Sequence, residues 1–387
     1  MSALANAERA SATLATRLIF LVVGIATSSW APMVPYAKVR LGLDDAQLGL
    51  VLLAFGGGSV VSMPLVGWLA ARYGNNRLIT IAGILLCLAL PMLALAGTPS
   101  LLALGLFYFG ATIGAVDVAM NAHAVEVERA GSRPLMSGFH GLFSIGGLVG
   151  AALISALLGL GLPLLGCALS VSVLLIVIVV SQRTHLLSRT RQVVGERAVF
   201  RLPRGLLLLI GALCFISFLA EGAMLDWSAL LLRDFRGFSA ALAGIGYACF
   251  SVAMALGRLT GDRVIARLGP VWTVRLGAVV AAMGLLMAAL APWHALALPG
   301  FVLIGLGAAN IVPVMFSAAG RLPGVAPAVS IAAVTTIGYA GLLLGPALIG
   351  FIAHASSLPA ALVAVACLLL VVAGCARIVR PAADLNL

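Results

Sequence analysis

The sequence contains little charge. Only 9% of its 387 residues are Asp, Glu, Lys or Arg, whereas a water-soluble protein carries about 25%. The remainder is mostly apolar, since hydrophobic residues make up 63% of the chain and the mean hydropathy is +1.18. The shortage of charge therefore excludes an ordinary soluble domain and predicts an all-α membrane protein that crosses the bilayer many times.

Lysine is nearly absent, because Lys38 is the single one in the chain. No Gly-Lys-Ser or Gly-Lys-Thr sequence occurs, so a P-loop of the Walker A kind is excluded. The energy source must then be something other than ATP bound by this chain. The net charge of +11 comes almost entirely from arginine, and its distribution along the chain argues against a nucleic-acid partner.

The six cysteines show no metal-ligand spacing. All of them fall within apolar stretches, where a small packing residue is the simplest interpretation. The sequence also shows no nucleophile and base at a recognisable spacing. We therefore expect no enzyme activity, no bound metal and no cofactor.

Apolar segments long enough to cross a bilayer recur along the whole chain. A helix needs about 20 apolar residues to span the hydrocarbon core, and the sequence predicts twelve such spans. Their predicted bounds are 17–37, 47–70, 78–97, 101–125, 135–159, 163–182, 205–231, 239–260, 271–291, 296–319, 326–353 and 359–379.

Arginine predicts the orientation in the membrane. If the N-terminus is inside, 19 of the 23 Lys and Arg residues fall in cytoplasmic segments. Arg258 is one of these 19 residues. The four in the predicted outer loops are Lys38, Arg40, Arg233 and Arg236. The positive-inside rule then places both termini in the cytoplasm. The low lysine content indicates a GC-rich bacterial source, so we expect a multi-pass protein of the inner (cytoplasmic) membrane.

The chain divides into two similar halves at an arginine-rich interval. We predict a six-helix bundle over residues 1–182, a cytoplasmic linker over 183–204 and a second six-helix bundle over 205–387. Landmarks recur at offsets between 193 and 199 residues, and the pairs are Trp30 with Trp227, Gly42 with Gly237, Gly114 with Gly307, and His140 with Tyr339. Such a repeat is typical of two pseudo-symmetric bundles related by an axis along the membrane normal.

Asp117 lies in the middle of the fourth predicted span. A carboxylate there costs roughly 2.5–3.5 kcal/mol on insertion scales, so an intramembrane acid is a functional-site hypothesis by default. Asn121 follows at i+4 and therefore lies on the same helical face. Asp117 is a candidate proton carrier, and the alternative is an acid held in a structural hydrogen bond.

Other polar residues occur inside the predicted spans. Glu221 is the second candidate for a titrating group, and the predicted depth of His140 permits a proton relay with Asp117, although a helix-packing role is the alternative. Asn121 and Asn310 carry amides that suit the hydroxyl groups of a solute, but Asn310 precedes Pro313 and a structural role is also open.

Trp30 and Trp227 are either cavity walls or interfacial belt residues. Glu126, Glu128, Arg129 and Arg133 are expected to form solvated ion pairs.

One loop motif connects the chain to a known family. The segment Gly67-Trp-Leu-Ala-Ala-Arg-Tyr-Gly-Asn-Asn-Arg77 resembles the loop motif Gly-x-Leu-Ala-Asp-Arg-x-Gly-x-x-Arg of the major facilitator superfamily, with Ala71 in place of the acid. A related segment, 257–269, contains an acid at Asp262. The resemblance implies that cytoplasmic ion pairs stabilise one conformation, and the residues concerned are Arg72, Arg77, Asp262 and Arg263. The alternative is that these arginines only determine topology.

A narrower resemblance bears on the transported species. The segment Asp117-Val-Ala-Met-Asn121 resembles the acid-x-Ala-x-Asn of the fourth helix of the fucose permease group, where the acid carries the coupled proton. Three further blocks are similar to the MosC-like branch, and they cover 136–144, 221–228 and 338–346, the last of which contains Tyr339. The fucose permease group has a second acid in its first helix, whereas the first span here offers Thr27, Ser28, Ser29 and Trp30.

Together these features predict a secondary active transporter that works by alternating access, as a monomer in the lipid bilayer. The resemblance implies proton symport of a small polar solute, such as a sugar or cyclitol, with Asn121, Asn310, Tyr339, Trp30 and Trp227 on the solute side. The alternative is a proton-coupled antiporter that exports amphipathic drugs or metabolites.

Overall fold

The computed structural model of the chain describes residues 3–131, 133–187, 204–238, 244–290 and 296–380. Every regular element in these ranges is helical. The first half contains α1 (Ala3–Ser29), α2 (Val34–Leu41), α3 (Asp45–Tyr73), α4 (Asn75–Leu95), α5 (Pro99–Arg129), α6 (Met136–Gly159) and α7 (Leu164–Gln182). The second half contains α8 (Leu206–Leu230), α9 (Ile245–Leu290), α10 (Ala297–Ala308), α11 (Ile311–Gly320), α12 (Pro327–Ala355) and α13 (Leu358–Gly374).

The predicted number of membrane crossings is confirmed. Eleven helical segments in the described part of the chain are long and apolar enough to cross a membrane. One of them, α9, has 46 residues and is interrupted at Gly269, where φ is 75° and ψ is 162°, directly before Pro270. At 1.5 Å per residue α9 is about twice the thickness of the hydrocarbon core, so it supplies two crossings and the described part of the chain supplies twelve.

Two of the predicted spans are not straight helices. The first span bends after α1 through a short 3₁₀ segment, Ala31–Met33, which contains Pro32. The tenth is broken between α10 and α11 at Ala309 and Asn310. Pro313 has no N–H, so it cannot donate the i→i−4 bond to the Ala309 carbonyl. Met120 is the residue of the first half that corresponds to Pro313, and α5 continues there without a break.

The chain packs as two compact units. The first consists of Met1–Ser132, Leu142–Arg201 and Gly324–Ala332; the second consists of Arg133–Gly141, Leu202–Pro323 and Ala333–Leu387. The start of α6 therefore packs with helices of the second half. The central residues of the predicted linker, 188–203, lie outside the described residues, so the predicted domain bounds stay a prediction.

Glycine allows the same close approach of helices in each unit. A Cβ atom on Gly146 of α6 would overlap the carbonyl of Leu21 in α1, and one on Gly341 of α12 would overlap the carbonyl of Phe215 in α8. Small residues of this kind let helix backbones approach closely in a membrane, where packing replaces the hydrophobic effect.

The two units also repeat an arginine contact that the sequence did not predict. In the first unit Arg40 donates to the carbonyl oxygens of Leu93, at 3.0 Å, and Ala94 in the last turn of α4. In the second unit Arg236 donates to Ala288, at 2.9 Å, and Ala289 in the last turn of α9. A cation that binds the orphan carbonyls of a helix C-terminus stabilises that end. The arginines are 196 residues apart, which lies within the predicted offset of the repeat.

Candidate functional site

Asp117 is buried in the first unit. The residue is 7% exposed, and the Asn121 side-chain amide donates to its Oδ1 at 3.2 Å and to its backbone carbonyl at 2.9 Å. The structure thus brings together the two residues that share a predicted helical face. The other carboxyl oxygen, Oδ2, is buried and has no hydrogen-bond partner among the described residues. A carboxylate in that position is costly, whereas a neutral acid is much cheaper to bury.

Glu221 forms an ion pair in the second unit. The Arg258 Nη2 atom donates to Glu221 Oε1 at 2.5 Å, and the two side chains are only 10% and 18% exposed. Arg258, which the sequence analysis placed among the cytoplasmic arginines, lies inside the unit on the face of α9 that packs on α8. The side of the membrane predicted for it stays a prediction. A buried glutamate needs a counter-charge, and Arg258 provides it.

The helix break completes a polar cluster around this pair. Arg258 Nε also donates to the Ala309 carbonyl, at 3.4 Å, which is the acceptor that Pro313 leaves without a backbone donor. Asn310 donates to the Gly257 carbonyl at 3.2 Å and accepts from the Ser137 hydroxyl, which is also 3.0 Å from the Arg258 carbonyl. The structural role that was left open for Asn310 is therefore present, and its side chain is 8% exposed.

His140 belongs to the second unit and Asp117 to the first. The imidazole of His140 makes an edge contact with the ring of Phe316, with the ring centroids 5.8 Å apart. It also lies within electrostatic reach of Arg258. The predicted relay between His140 and Asp117 remains a prediction.

The aromatic candidates have different surroundings. Tyr339 of α12 packs on Phe218 of α8, with ring centroids 5.5 Å apart, and Phe218 is one turn before Glu221. Trp30 is 8% exposed and Trp227 is half-buried, and the indole N–H of each has no hydrogen-bond partner among the described residues. Both indoles therefore retain a donor for a further group.

Two of the four predicted gate residues lie near helix ends, Arg72 in α3 and Arg77 in α4, whereas Asp262 and Arg263 lie within α9, before its interruption at Gly269. Asp262 accepts from the backbone N–H of Gly138 through both carboxylate oxygens, each at 3.1 Å, and so caps the first turn of α6. The Arg72 guanidinium lies over the rings of Trp68 and Tyr73, 5.6 and 5.4 Å from their centroids. The side chains of Arg77 and Arg263 are exposed.

His123 is a buried histidine that the sequence did not single out. Its Nε2 accepts from the backbone N–H of Leu187 at 2.9 Å, which leaves the proton on Nδ1, 3.1 Å from the Thr16 hydroxyl. Since Thr16 itself donates to the Ala12 carbonyl, its oxygen is free to accept from Nδ1. The imidazole therefore joins α1, α5 and the residues that follow α7.

The acidic residues at the end of α5 are not solvated, contrary to expectation. Glu128 is 2% exposed, and Glu126 accepts from the Asn75 side-chain amide at 3.0 Å. The reason is that α5 continues to Arg129, beyond the predicted end of the span, and the last turn packs inside the unit.

Comparison with known proteins gives the family. The sequence profile of the Major Facilitator Superfamily matches residues 18–337. The chain belongs to this superfamily. An uncharacterised MFS-type transporter of Yersinia pestis is 48% identical over 369 residues, which cover 95% of this chain and 96% of the relative. The membrane protein MosC of Rhizobium meliloti is 32% identical over 345 residues, which cover 89% of this chain and 84% of MosC.

Solved superfamily structures share the fold. The E. coli fucose:proton symporter FucP aligns with a TM-score of 0.76 at 18% identity, covering 95% of this chain and 98% of FucP. The human organic anion transporter MFSD10 aligns with a TM-score of 0.75 at 15% identity, covering 96% and 99% of the two chains. The proton:xylose symporter XylE aligns with a TM-score of 0.72 at 13% identity, covering 95% of each. The predicted all-α fold and the predicted superfamily are confirmed.

In this superfamily member, sequence reasoning missed Arg258 and His123 for different reasons. Arg258 stands near the predicted end of a span, so the positive-inside rule assigned it to the cytoplasm. The signal that could have identified it was Glu221, a buried acid for which no counter-charge had been assigned. His123 gave no such signal, because its partners are a backbone N–H and a hydroxyl that lie 64 and 107 residues away in sequence.

Proposed function

We propose that this transporter is a proton symporter that carries a small polar solute of the sugar or cyclitol kind across the inner membrane of a bacterium, with both termini in the cytoplasm. The observation that carries the proposal is the buried carboxyl group of Asp117. One of its oxygens is held by Asn121 and the other has no hydrogen-bond partner among the described residues.

This arrangement suits a group that gains and loses a proton. The neutral acid can be buried in apolar surroundings, whereas the carboxylate requires water or a new partner. Protonation therefore changes which conformations are accessible, and alternating access can use that difference. Glu221 is the second coupling group in this proposal, and His140 is a candidate relay.

The solute would be recognised by hydrogen bonds and stacking. Amide groups donate to and accept from hydroxyl groups, and indole and phenol rings stack on the apolar faces of sugar rings. The residues proposed for this role are Asn121, Asn310, Tyr339, Trp30 and Trp227. FucP and XylE, whose fold this chain shares, are sugar:proton symporters by name, and this supports the solute class.

One conformation would be stabilised by contacts at helix ends. Asp262 caps α6 through the Gly138 amide, and we propose that this contact opens when the transporter changes state. Arg72, Arg77 and Arg263 are the arginines proposed to take part on the same side of the membrane.

The test is gradient-driven uptake into liposomes of purified protein. Labelled L-fucose, D-xylose and myo-inositol serve as probes, with an inward gradient of one pH unit. That gradient supplies about 1.4 kcal/mol per proton, enough for about tenfold accumulation. We expect Asp117→Asn to abolish accumulation and to retain exchange of the solute, because the amide cannot release a proton. Asp226→Asn is the control, since Asp226 is an exposed acid near the end of α8.

Two results would overturn the proposal. Full accumulation by Asp117→Asn would show that this carboxyl does not carry the proton. If instead an outward proton gradient alone drives uptake of these probes or of amphipathic cations, the transporter is an antiporter.

A further inference from the structure

Two helix ends of the second unit meet at one surface of the membrane. The second part of α9 begins at Pro270, directly after the interruption at Gly269. Arg275, in the second turn of this part, donates from Nε to the Ala373 carbonyl in the last turn of α13, at 3.4 Å. Gly269 lies between two crossings, so Arg275 is close to a membrane surface. The end of α13 therefore reaches the same surface.

The Arg275 guanidinium retains unused donors. Its Nε binds the Ala373 carbonyl, and the group lies over the ring of Trp272, 5.1 Å from the ring centroid. Its two Nη groups have no hydrogen-bond acceptor among the described residues. A guanidinium binds a phosphate group through two parallel N–H bonds. The Nη groups of Arg275 therefore suit a phosphate that approaches from the membrane surface.

Two further arginines come directly after α13. Arg377 lies in the 3₁₀ segment Cys375–Val379, which packs on α9, α11 and α13. Arg380 follows this segment, and its amide donates to the Arg377 carbonyl at 3.2 Å. Both side chains are exposed, and neither forms an ion pair with a described residue. Since α9 after Gly269, α10, α11 and α13 contain no Asp or Glu, these elements supply no counter-charge.

Exposed apolar side chains continue from the arginines along both helices. On α9, Trp272 is 53% exposed, and Leu276 and Met283 are exposed on the same helical face. On α13, Leu370 and Val371 are exposed in the turn before Gly374, where the helix ends. In a helix that crosses a bilayer, an exposed apolar face contacts acyl chains, and tryptophan is enriched at the level of the headgroups. Charge and apolar surface thus have the order that they have in a phospholipid.

We infer that a basic patch, formed by Arg275, Arg377 and Arg380 beside Trp272, binds the headgroup of an anionic phospholipid. The phosphate binds the Nη groups of Arg275, Arg377 and Arg380 balance the negative charge, and the acyl chains lie on the apolar faces of α9 and α13. A zwitterionic lipid also has a phosphate, but its cationic group would lie among three arginines. Charge therefore favours phosphatidylglycerol over phosphatidylcholine. This inference concerns the lipid and does not depend on the transported solute.

The test is quenching of Trp272 fluorescence by brominated lipids in phosphatidylcholine vesicles that contain the purified full chain. The emission of Trp272 in each protein is obtained by subtracting the emission of the same protein with Trp272→Phe. Brominated phosphatidylglycerol or brominated phosphatidylcholine is added at a constant ionic strength, because salt screens exposed charges. We expect the mole fraction that gives half-maximal quenching to be about tenfold lower for phosphatidylglycerol.

Variants of the exposed arginines locate the headgroup. Arg377→Gln and Arg380→Gln remove side chains that make no hydrogen bond to a described residue, so both proteins should fold. Each change should lower the preference for phosphatidylglycerol by about fivefold, and the double variant should abolish it. Arg183→Gln is the matched control, because Arg183 is exposed and belongs to the first unit. It removes the same charge and should keep the preference of the wild type.

Four results would refute the inference. Equal quenching by the two lipids would show that the patch does not select charge. An unchanged preference in the double variant would show that the arginines do not bind the headgroup, and an equal loss in Arg183→Gln would show that only the overall charge attracts the lipid. Displacement of brominated phosphatidylglycerol by excess soluble glycerol phosphate would show that the patch binds a free phosphate compound rather than a lipid.

Discussion

The repeated arginine contact at the ends of α4 and α9 can be tested one unit at a time. Arg236→Ala removes the donors to Ala288 and Ala289, and Arg40→Ala removes those to Leu93 and Ala94. Each change leaves carbonyl oxygens of a helix C-terminus without their charged partner.

The magnitude follows from the contacts. A hydrogen bond to a charged group contributes about 1.5–3 kcal/mol when buried, and a cation at a helix C-terminus about 0.3–1 kcal/mol at the surface. Arg236 is half-buried, so we expect about 2 kcal/mol for its removal, and less for the more exposed Arg40. For a unit of this size, about 2 kcal/mol lowers Tm by about 4–8 °C.

Native cysteines allow the loss of stability to be assigned to one of the two units. Cys87 is buried in the first unit and Cys214 in the second. In two single-cysteine proteins, a thiol-reactive dye reports the melting of one unit each. We expect Arg236→Ala to lower the midpoint temperature of dye labelling at Cys214. Arg40→Ala should lower the midpoint temperature of labelling at Cys87. The effects should add in the double variant, because the two sites share no partner.

The control is Arg233→Ala. Arg233 precedes Arg236 by one turn but pairs only with the neighbouring Asp234 in the described residues, and the two side chains are 52% and 43% exposed. An exposed pair of this kind adds little to stability, so no measurable shift is expected. If Arg236→Ala melts as Arg233→Ala does, the two carbonyl contacts contribute nothing and the reasoning is wrong.

Two other predictions concern single residues. His123→Ala removes the acceptor of the Leu187 amide and should destabilise the first unit by about 1–3 kcal/mol. His123→Asn should recover part of that stability. An unchanged midpoint temperature of dye labelling at Cys87 would contradict this role of His123. Pro313→Ala restores an amide that can bind the Ala309 carbonyl, so deuterium exchange across the break and the rate of solute uptake should both fall. Faster exchange in that variant would mean that proline is not the cause of the break.

The sequence predicted the architecture because membrane insertion is a local requirement. Each crossing needs its own run of about 20 apolar residues, so hydropathy alone gave the number of spans and their order. The repeat of Trp30 with Trp227 and of Gly114 with Gly307 indicated two related halves. Helical periodicity placed Asn121 beside Asp117, since the two residues are neighbours on one helix.

The same local reasoning did not find the contacts that join distant helices. Arg258 was assigned to the cytoplasm by a statistical rule on charge, and Glu126 and Glu128 were expected in water. Neither the sequence position nor the spacing of these residues indicates which other helix packs against them. In the structure, Glu221 and Asn75 supply the partners.

The sequence by itself determined the twelve helical spans, because a bilayer requires an apolar run for each crossing. It also determined the pairing of Asp117 with Asn121, because the two residues are one turn apart on one helix. Only the tertiary structure decided how the remaining polar groups are satisfied. Pro313 cannot donate a backbone hydrogen bond to the Ala309 carbonyl, but which side chain would bind that carbonyl depended on the packing of α8, α9 and α11. The partner is Arg258 because a buried carbonyl and a buried carboxylate can be satisfied together by one guanidinium, and only folding brings the three groups within reach.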